Sequence, residues 1–273
     1  MKFIAIGDTG IDYYSNRNII KPGGIAFNIA VNILSQGENV SLITTIGNDI
    51  LGKRLGKLLK TLTINSSHIK FLKGKTPKQN IFIKNNGERK FIGYSPGVLK
   101  KWKLNNNDVT FITNHDVIFV PLADGIEHIF HSIKDISTNA LKVVDFSQDY
   151  EFADFDKENN LIKKYSKYFD FIFVGGKLSH TKMIKEISNL YPQKLFILTL
   201  GKAGSMVFYN HQCYAIKSKK KVTVVDTTGA GDAFQATFLI YYLKSKNIVS
   251  SLKKASEAAE AVLKHIGSTK FDV

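Results

Sequence analysis

The 273-residue sequence predicts an α/β domain built on a mostly parallel sheet with helices on both faces. Three observations predict it. Apolar strand-like runs alternate with helix-like segments, the pattern of successive βαβ units. Several runs are nearly continuous stretches of β-branched and aromatic residues, as strands covered on both faces require. One region breaks the rhythm with the hairpin signal Asn86-Gly87.

The elements follow in order. Strands are expected at Lys2–Ile6, Val40–Ile46, Val117–Val120, Leu141–Phe146, Phe169–Val174 and Lys194–Leu200. Helices are expected at Ala26–Gln36, Leu51–Leu62, Leu161–Tyr168, Ala233–Lys244 and Leu252–His265. From Phe71 to Gly97 the chain reads as a hairpin, with arms Gln79–Lys84 and Glu88–Tyr94. The segment Asp12–Lys21 is polar and irregular. The expectation is one domain over residues 1–273, with insertions at about 12–22 and 71–98 forming a small β lid. Such a lid would stand over the carboxyl ends of the strands, where open α/β sheets bind ligands.

Composition narrows the classes. With 44% hydrophobic residues the chain can bury a sizeable core. The single cysteine, Cys213, excludes a disulfide framework or a cysteine metal cluster. No apolar run approaches the ~18 residues of a membrane helix. The N-terminus lacks a signal-peptide pattern, so a cytoplasmic protein is expected. The formal net charge of +15 raises the question of nucleic acid or anionic lipid. The lysines are scattered, however, and the densest cluster is only Lys219 to Lys221. A solvated basic surface is expected, with no nucleic-acid or membrane partner.

The chemistry concentrates in Asp226–Phe234, "DTTGAGDAF". Lys221–Val225 reads as a strand and Ala233 opens a helix, so Gly229-Ala230-Gly231-Asp232 sits at a strand-to-helix turn. Free amides and the positive dipole end make such a turn an anion site. Asp232 would lie beside an attacking group and accept its proton. The helix end is expected to depress its pKa, making it a weak base suited to a loose phosphoryl-transfer transition state. An ordinary N-cap is the competing reading of a Gly-x-Gly-Asp taken alone.

The whole nonamer resembles the C-terminal signature of the ribokinase-like (PfkB) carbohydrate kinases. "PGGIAFNIAVNILSQG" (Pro22–Gly37) resembles their other signature, and "TIGND" with Gly52 and "LTLGKAG" (Leu198–Gly204) fit in order. The resemblance covers nearly the whole chain. It implies a three-layer α/β/α sandwich and an ATP-dependent sugar kinase. Asp232 would be the base, with Gly229, Ala230 and Gly231 as the anion hole. Asp12, Gly23, Gly24 and Asn28 would hold the sugar. A cap or turn role for Asp12 and a mid-helix polar role for Asn28 stay open. Thr199, Gly201, Gly204 and Ala258 would lie on the nucleotide side. Asp226 would border a monovalent-cation loop. Magnesium with ATP is implied, and potassium dependence stays open.

Two departures stand out. Gly175-Gly176-Lys177-Leu178 replaces the family's Asn-x-x-Glu, which leaves metal handling in question and offers Lys177 to phosphate instead. Ile25 stands where many members are polar. Within the family the resemblance is to fructoselysine 6-kinases and their relatives, through "GDTGIDYY", "GERKFIGYSPGV" and "VVDFSQDY" (Val143–Tyr150). It would place Arg89, Tyr94 and Asp145 against the sugar or the amino-acid end, and exposed hairpin charges with a strand-end turn are the competing reading of these residues. Another sugar, such as fructose, ribose, a keto-deoxy acid or a nucleoside, is the alternative, and a catalytically silent nucleotide-binding protein is the alternative of another class. A homodimer through an exposed lid edge is open. His128 and His131 have helical spacing but no third ligand, and read as surface.

Overall fold

The computed structural model describes residues 1–146, 155–218 and 222–273. The last part of the Val143–Tyr150 motif and the lysines 219–221 therefore lie outside the described residues. Fourteen strands and eight α-helices are found among the described residues. They are β1 (Lys2–Ile6), β2 (Gly10–Tyr14), β3 (Ile19–Gly23), α1 (Ile25–Ser35), β4 (Asn39–Ile43), β5 (Thr45–Gly47), α2 (Ile50–Thr61), β6 (Lys70–Leu72), β7 (Lys78–Ile83) and β8 (Arg89–Ser95). There follow α3 (Asn106–Thr113), β9 (Val117–Pro121), α4 (Glu127–Lys134), β10 (Leu141–Asp145), α5 (Phe155–Tyr165), β11 (Phe171–Gly175), α6 (Thr181–Asn189) and β12 (Leu195–Thr199). The chain closes with β13 (Ser205–Tyr209), β14 (Gln212–Ile216), α7 (Ala230–Ser245) and α8 (Ile248–Val262).

The main sheet runs β14-β13-β12-β11-β10-β9-β1-β4. It is parallel from β4 to β12, and β13 and β14 are antiparallel. Side chains alternate between its faces. Phe3, Ala5, Phe171, Phe173 and Ile197 pack under α1, α2, α7 and α8. Ile4, Ile6, Ile172, Val174 and Phe196 pack under α3 to α6. The result is the three-layer sandwich. No helix among the described residues is long and apolar enough to cross a membrane.

Strand order reverses at β1, which has β4 on one side and β9 on the other. A crevice opens outside the strand ends at such a switch point. The second sheet, β3-β2-β7-β8, is built from the two expected insertions. Segment 12–21 is not irregular: β2 and β3 pair antiparallel from Gly10↔Gly23 to Tyr14↔Ile19. A small apolar cluster of Tyr14, Ile81 and Ile83 holds this sheet, which explains why a polar-looking stretch is ordered.

Other expectations need correction. Val40–Ile46 is two strands, and β6 pairs in parallel with β5 instead of joining the hairpin. Val222–Val225 carries no strand. Its end is bonded to the end of α8 instead, with Val225 N donating to Leu263 O at 2.7 Å.

Candidate active site

Helix α7 positions the site, and its packing fixes it. Phe234, Phe238 and Tyr242 stack at four-residue spacing, with centroids 6.4 and 5.8 Å apart. Phe171 and Phe173 of β11 meet this ladder edge-on at 5.8 and 5.9 Å. The helix begins at Ala230, three residues earlier than the sequence suggests, because Gly229 turns the chain at φ 81°. A Cβ at Gly229 would also come within 2.3 Å of the Ser268 Cβ, so only glycine fits. The first amides of α7 lack intrahelical acceptors. Among them the Ala230 N–H leans on Thr227 O at 3.4 Å, and Ala230 does not line the cleft while Gly229 and Gly231 do. A Cβ added to Gly231 would meet nothing within 4 Å. That is room for an anion at the positive end of a helix.

Asp232 lies in the first turn of α7, past the cap position held by Gly229. It is therefore not the N-cap. Its Oδ2 accepts from Asn28 Nδ2 at 2.7 Å, and Asn28 Oδ1 accepts from Ser268 Oγ at 2.6 Å. Asn28 thus holds Asp232, and it also lines the cleft, where the sugar contact its motif implies would be made. Burial pushes the Asp232 carboxyl up to about 7, against the Asn28 hydrogen bond, and the charges of Asp145 and Asp8 push the same way. The expected depression by the helix end is corrected: removal from water outweighs the dipole here. A carboxyl so placed can exchange a proton near neutral pH.

A cleft of about 920 Å³ opens at the switch point between the two sheets. Asp232, Gly229, Gly231, Asp12, Gly24, Asn28, Arg89 and Tyr94 all line it. Asp12 reaches it from β2, and burial with the like charges of Asp8, Asp226 and Asp232 pushes its carboxyl well up. Gly23 makes room for it, since a Cβ there would meet the Asp12 carboxyl carbon at 2.4 Å. Arg89, at the start of β8, donates through Nη1 to Thr227 O at 3.0 Å and lies over the Phe91 ring at 4.9 Å. Its own N–H donates to Thr227 Oγ1 at 3.2 Å. The small sheet is thereby fastened to the glycine turn. Ile25 lines the cleft as an apolar wall, and Asp145 lines it from the end of β10.

Other expected residues lie elsewhere. Asp226 is fully buried. Its Oδ1 accepts from Thr228 N at 2.9 Å and Thr228 Oγ1 at 2.7 Å, and its Oδ2 accepts from Gly267 N at 2.9 Å. That carboxylate is engaged by its own loop and by the segment after α8. Thr199 ends β12, and Gly201 and Gly204 belong to the turn that follows it, where Gly201 has open space around it. Ala258 is half-buried on α8. None of these four lines the cleft. Lys177 is exposed and also outside it. His128 Nε2 lies 2.8 Å from Trp102 O, a helix tie.

Sequence reasoning missed Asp8 and Gln235, which both line the cleft. Asp8 accepts from Ile25 N at 3.1 Å and Ala26 N at 3.4 Å, so it caps α1 from outside the helix. The stretch "GDTGID" contains two aspartates, and only the fold shows that both face the crevice. Gln235 reads as one more polar residue on a helix. Among the described residues no three His, Cys, Asp or Glu converge as a metal cluster.

Comparison with known proteins agrees with this geometry. The pfkB family carbohydrate kinase pattern matches residues 14–272. A fructosamine kinase of Bacillus subtilis is 26% identical over 95% of this chain and 89% of its own. A fructoselysine 6-kinase of Escherichia coli is 25% identical over 98% of this chain and all of its own. Among solved structures, adenosine kinase from Sinorhizobium meliloti superposes with a TM-score of 0.82 at 18% identity, covering 99% and 96% of the two chains. The chain belongs to the pfkB family of carbohydrate kinases and is an ATP-dependent phosphotransferase.

Proposed function

We propose that this kinase transfers the γ-phosphoryl group of ATP to a primary hydroxyl of a sugar–amine adduct of the fructoselysine type. The observation that carries the chemistry is the placement of Asp232. It sits at the open Gly231 face of the α7 turn, with its pKa pushed to about 7. The substrate hydroxyl oxygen attacks phosphorus, its proton passes to the Asp232 carboxylate, and the bond from phosphorus to the ADP oxygen breaks. The amides of Gly229 and Gly231 stabilise the equatorial oxygens. Asn28 orients the base, and Asp12 accepts from sugar hydroxyls.

The small sheet acts as a lid that excludes water, with Arg89 as its fastening to the glycine turn. Thr199, Gly201, Gly204 and Ala258 lie on the nucleotide side. Gly175-Gly176-Lys177 offers no carboxylate, and Asp226 is engaged. A magnesium ion would therefore be held chiefly by the phosphates of ATP and by water, as Mg²⁺ often is, and would supply charge neutralisation to the transferred group.

The sugar–amine assignment is supported by the fructosamine and fructoselysine kinases among the relatives. Nucleoside and ribose kinases match at similar identity, so a different sugar is the second reading. The test is ADP release from Mg-ATP across a sugar panel that includes fructoselysine, with Asp232→Asn as control. Turnover on fructoselysine that the substitution abolishes supports both parts. Turnover on ribose or a nucleoside alone sinks the sugar–amine assignment and keeps the chemistry.

A further inference from the structure

The charge of the cleft is the reverse of the charge of the chain. The sequence holds 38 Lys and Arg against 23 Asp and Glu. Yet Asp8, Asp12, Asp124, Asp145 and Asp232 line the cleft against Lys78, Arg89 and Lys90. Of these cations, Arg89 acts on the buried carboxyls of Asp12 and Asp232 against their burial. Lys78 Nζ stands 5.2 Å over the Tyr13 ring, Arg89 is bonded to Thr227 O, and Lys90 is exposed. A basic protein has gathered carboxyl groups into its substrate cleft, and because burial pushes those of Asp8, Asp12 and Asp232 up, an arriving cation would favour their charged forms.

A second observation points the same way. Gln235 is 2% exposed, lines the cleft, and its Oε1 has no protein donor. A buried acceptor of this kind is costly unless a ligand supplies the donor. Among the described residues that line the cleft, the carboxyl groups and Gln235 Oε1 outnumber the one buried unpaired side-chain donor, Arg89 Nε. The cleft suits a ligand that brings N–H groups and positive charge.

Two of the carboxylates already have tasks, Asp232 with the proton and Asp12 with hydroxyls. Asp8 is different. Two backbone N–H groups at the head of α1 fix its position. Burial pushes its carboxyl up against those amides, and an arriving cation would offset that cost. Tyr94 shares its surroundings, with Asp8, Asp124 and Glu127 all acting on its hydroxyl.

We propose that Asp8 is a specificity-determining residue that receives a protonated amine of the substrate, so that the kinase prefers amine-bearing sugars to neutral ones of the same shape. This rests on the sugar–amine reading above. The probes are fructosyl-butylamine, which is cationic, and its N-acetyl derivative, which is neutral. The wild-type protein is expected to favour the cationic probe in kcat/KM. Asp8→Asn keeps the shape and the acceptor for Ile25 N–H. It should lower kcat/KM for the cationic probe ~10–100-fold more than for the neutral one, mainly through KM, as loss of a charged hydrogen bond does.

Equal losses on both probes would overturn the proposal by making Asp8 a helix cap only, and so would an unchanged preference. If melting shows that Asp8→Asn does not fold, Asp124→Asn on the exposed lip is read instead. There the preference should fall by about threefold through the weaker field, and no change overturns the proposal. If the wild-type protein does not use the cationic probe at all, the sugar–amine reading itself has failed. A wild type that uses it, with a preference indifferent to Asp8 and Asp124, sinks this inference alone.

Discussion

The two ends of the glycine loop each carry a buried aspartate, six positions apart, and they are treated in opposite ways. At the near end Asp226 accepts three hydrogen bonds from Thr228 and Gly267. At the far end Asp232 accepts one from Asn28, and it is pushed up to about 7. Both are removed from water, so burial alone does not set their roles. What differs is the number of donors offered. A carboxylate given several donors is a structural clamp, and one given a single donor keeps free lone pairs and a movable proton. The loop spends one aspartate on holding its shape so that the other can be left incompletely satisfied.

The sharpest way to break the comparison is to neutralise the far end. Asp232→Asn should lower kcat by about 10³, within the span typical of a lost general base. The same change should stabilise the fold. A raised carboxyl pKa contributes stability that is present at low pH and lost as pH rises from about 4 to about 7. Removing the ionisable group removes that loss, so the variant should melt higher than the wild type at pH 8 and no higher at pH 4. A lower Tm at pH 8 would mean that Asp232 is structural. Neutralising the near end should do the reverse. Asp226→Ala strands the buried amides of Thr228 and Gly267, and should cost about 2–4 kcal/mol in denaturant unfolding. Turnover should then fall mainly as the folded fraction falls.

How far this was legible in the sequence depends on what each residue needed. The main sheet was readable because a strand covered on both faces must be apolar throughout, as Phe171–Val174 is. The edge hairpin β13–β14 was not, because Asn210 and His211 both turn at positive φ without glycine. The short helices α3, α4 and α6 lack the long periodic runs that mark a helix. In the site, "DTTGAGDAF" pointed to Asp232 and to the glycine turn. It could not give the direction of the pKa, because the dipole is local while burial, and the charges of Asp145 on β10 and Asp8 in the loop after β1, depend on elements distant in sequence. Nor could it show that Asn28 faces Asp232, because the two are 204 residues apart and meet only when α1 packs on α7.

Two smaller effects sharpen the contrast. The first is the pH profile of the wild type. If Asp232 is the proposed base it is active when deprotonated, so kcat/KM should rise about tenfold per pH unit below about 7 and level off above it. A profile flat from pH 5.5 to 8 would show that proton acceptance does not limit this reaction.

The smallest change removes the one donor that the far end retains. Asn28→Ala deletes the hydrogen bond that pulls the Asp232 carboxyl down, so only the charge of Arg89 still opposes burial and the neighbouring carboxylates. The inflection should move up by about one unit, with kcat at high pH reduced only ~10-fold by the loss of orientation. Asn28→Asp would place a like charge there instead and should move the inflection further. If neither variant moves the inflection while both lower kcat, Asn28 works through the substrate, as its sequence motif suggests. The far end would then be set by desolvation alone. If the inflection moves in both, the single donor is what keeps Asp232 usable at neutral pH, and adding a second donor from Ser268 or Gln235 should turn it into another clamp.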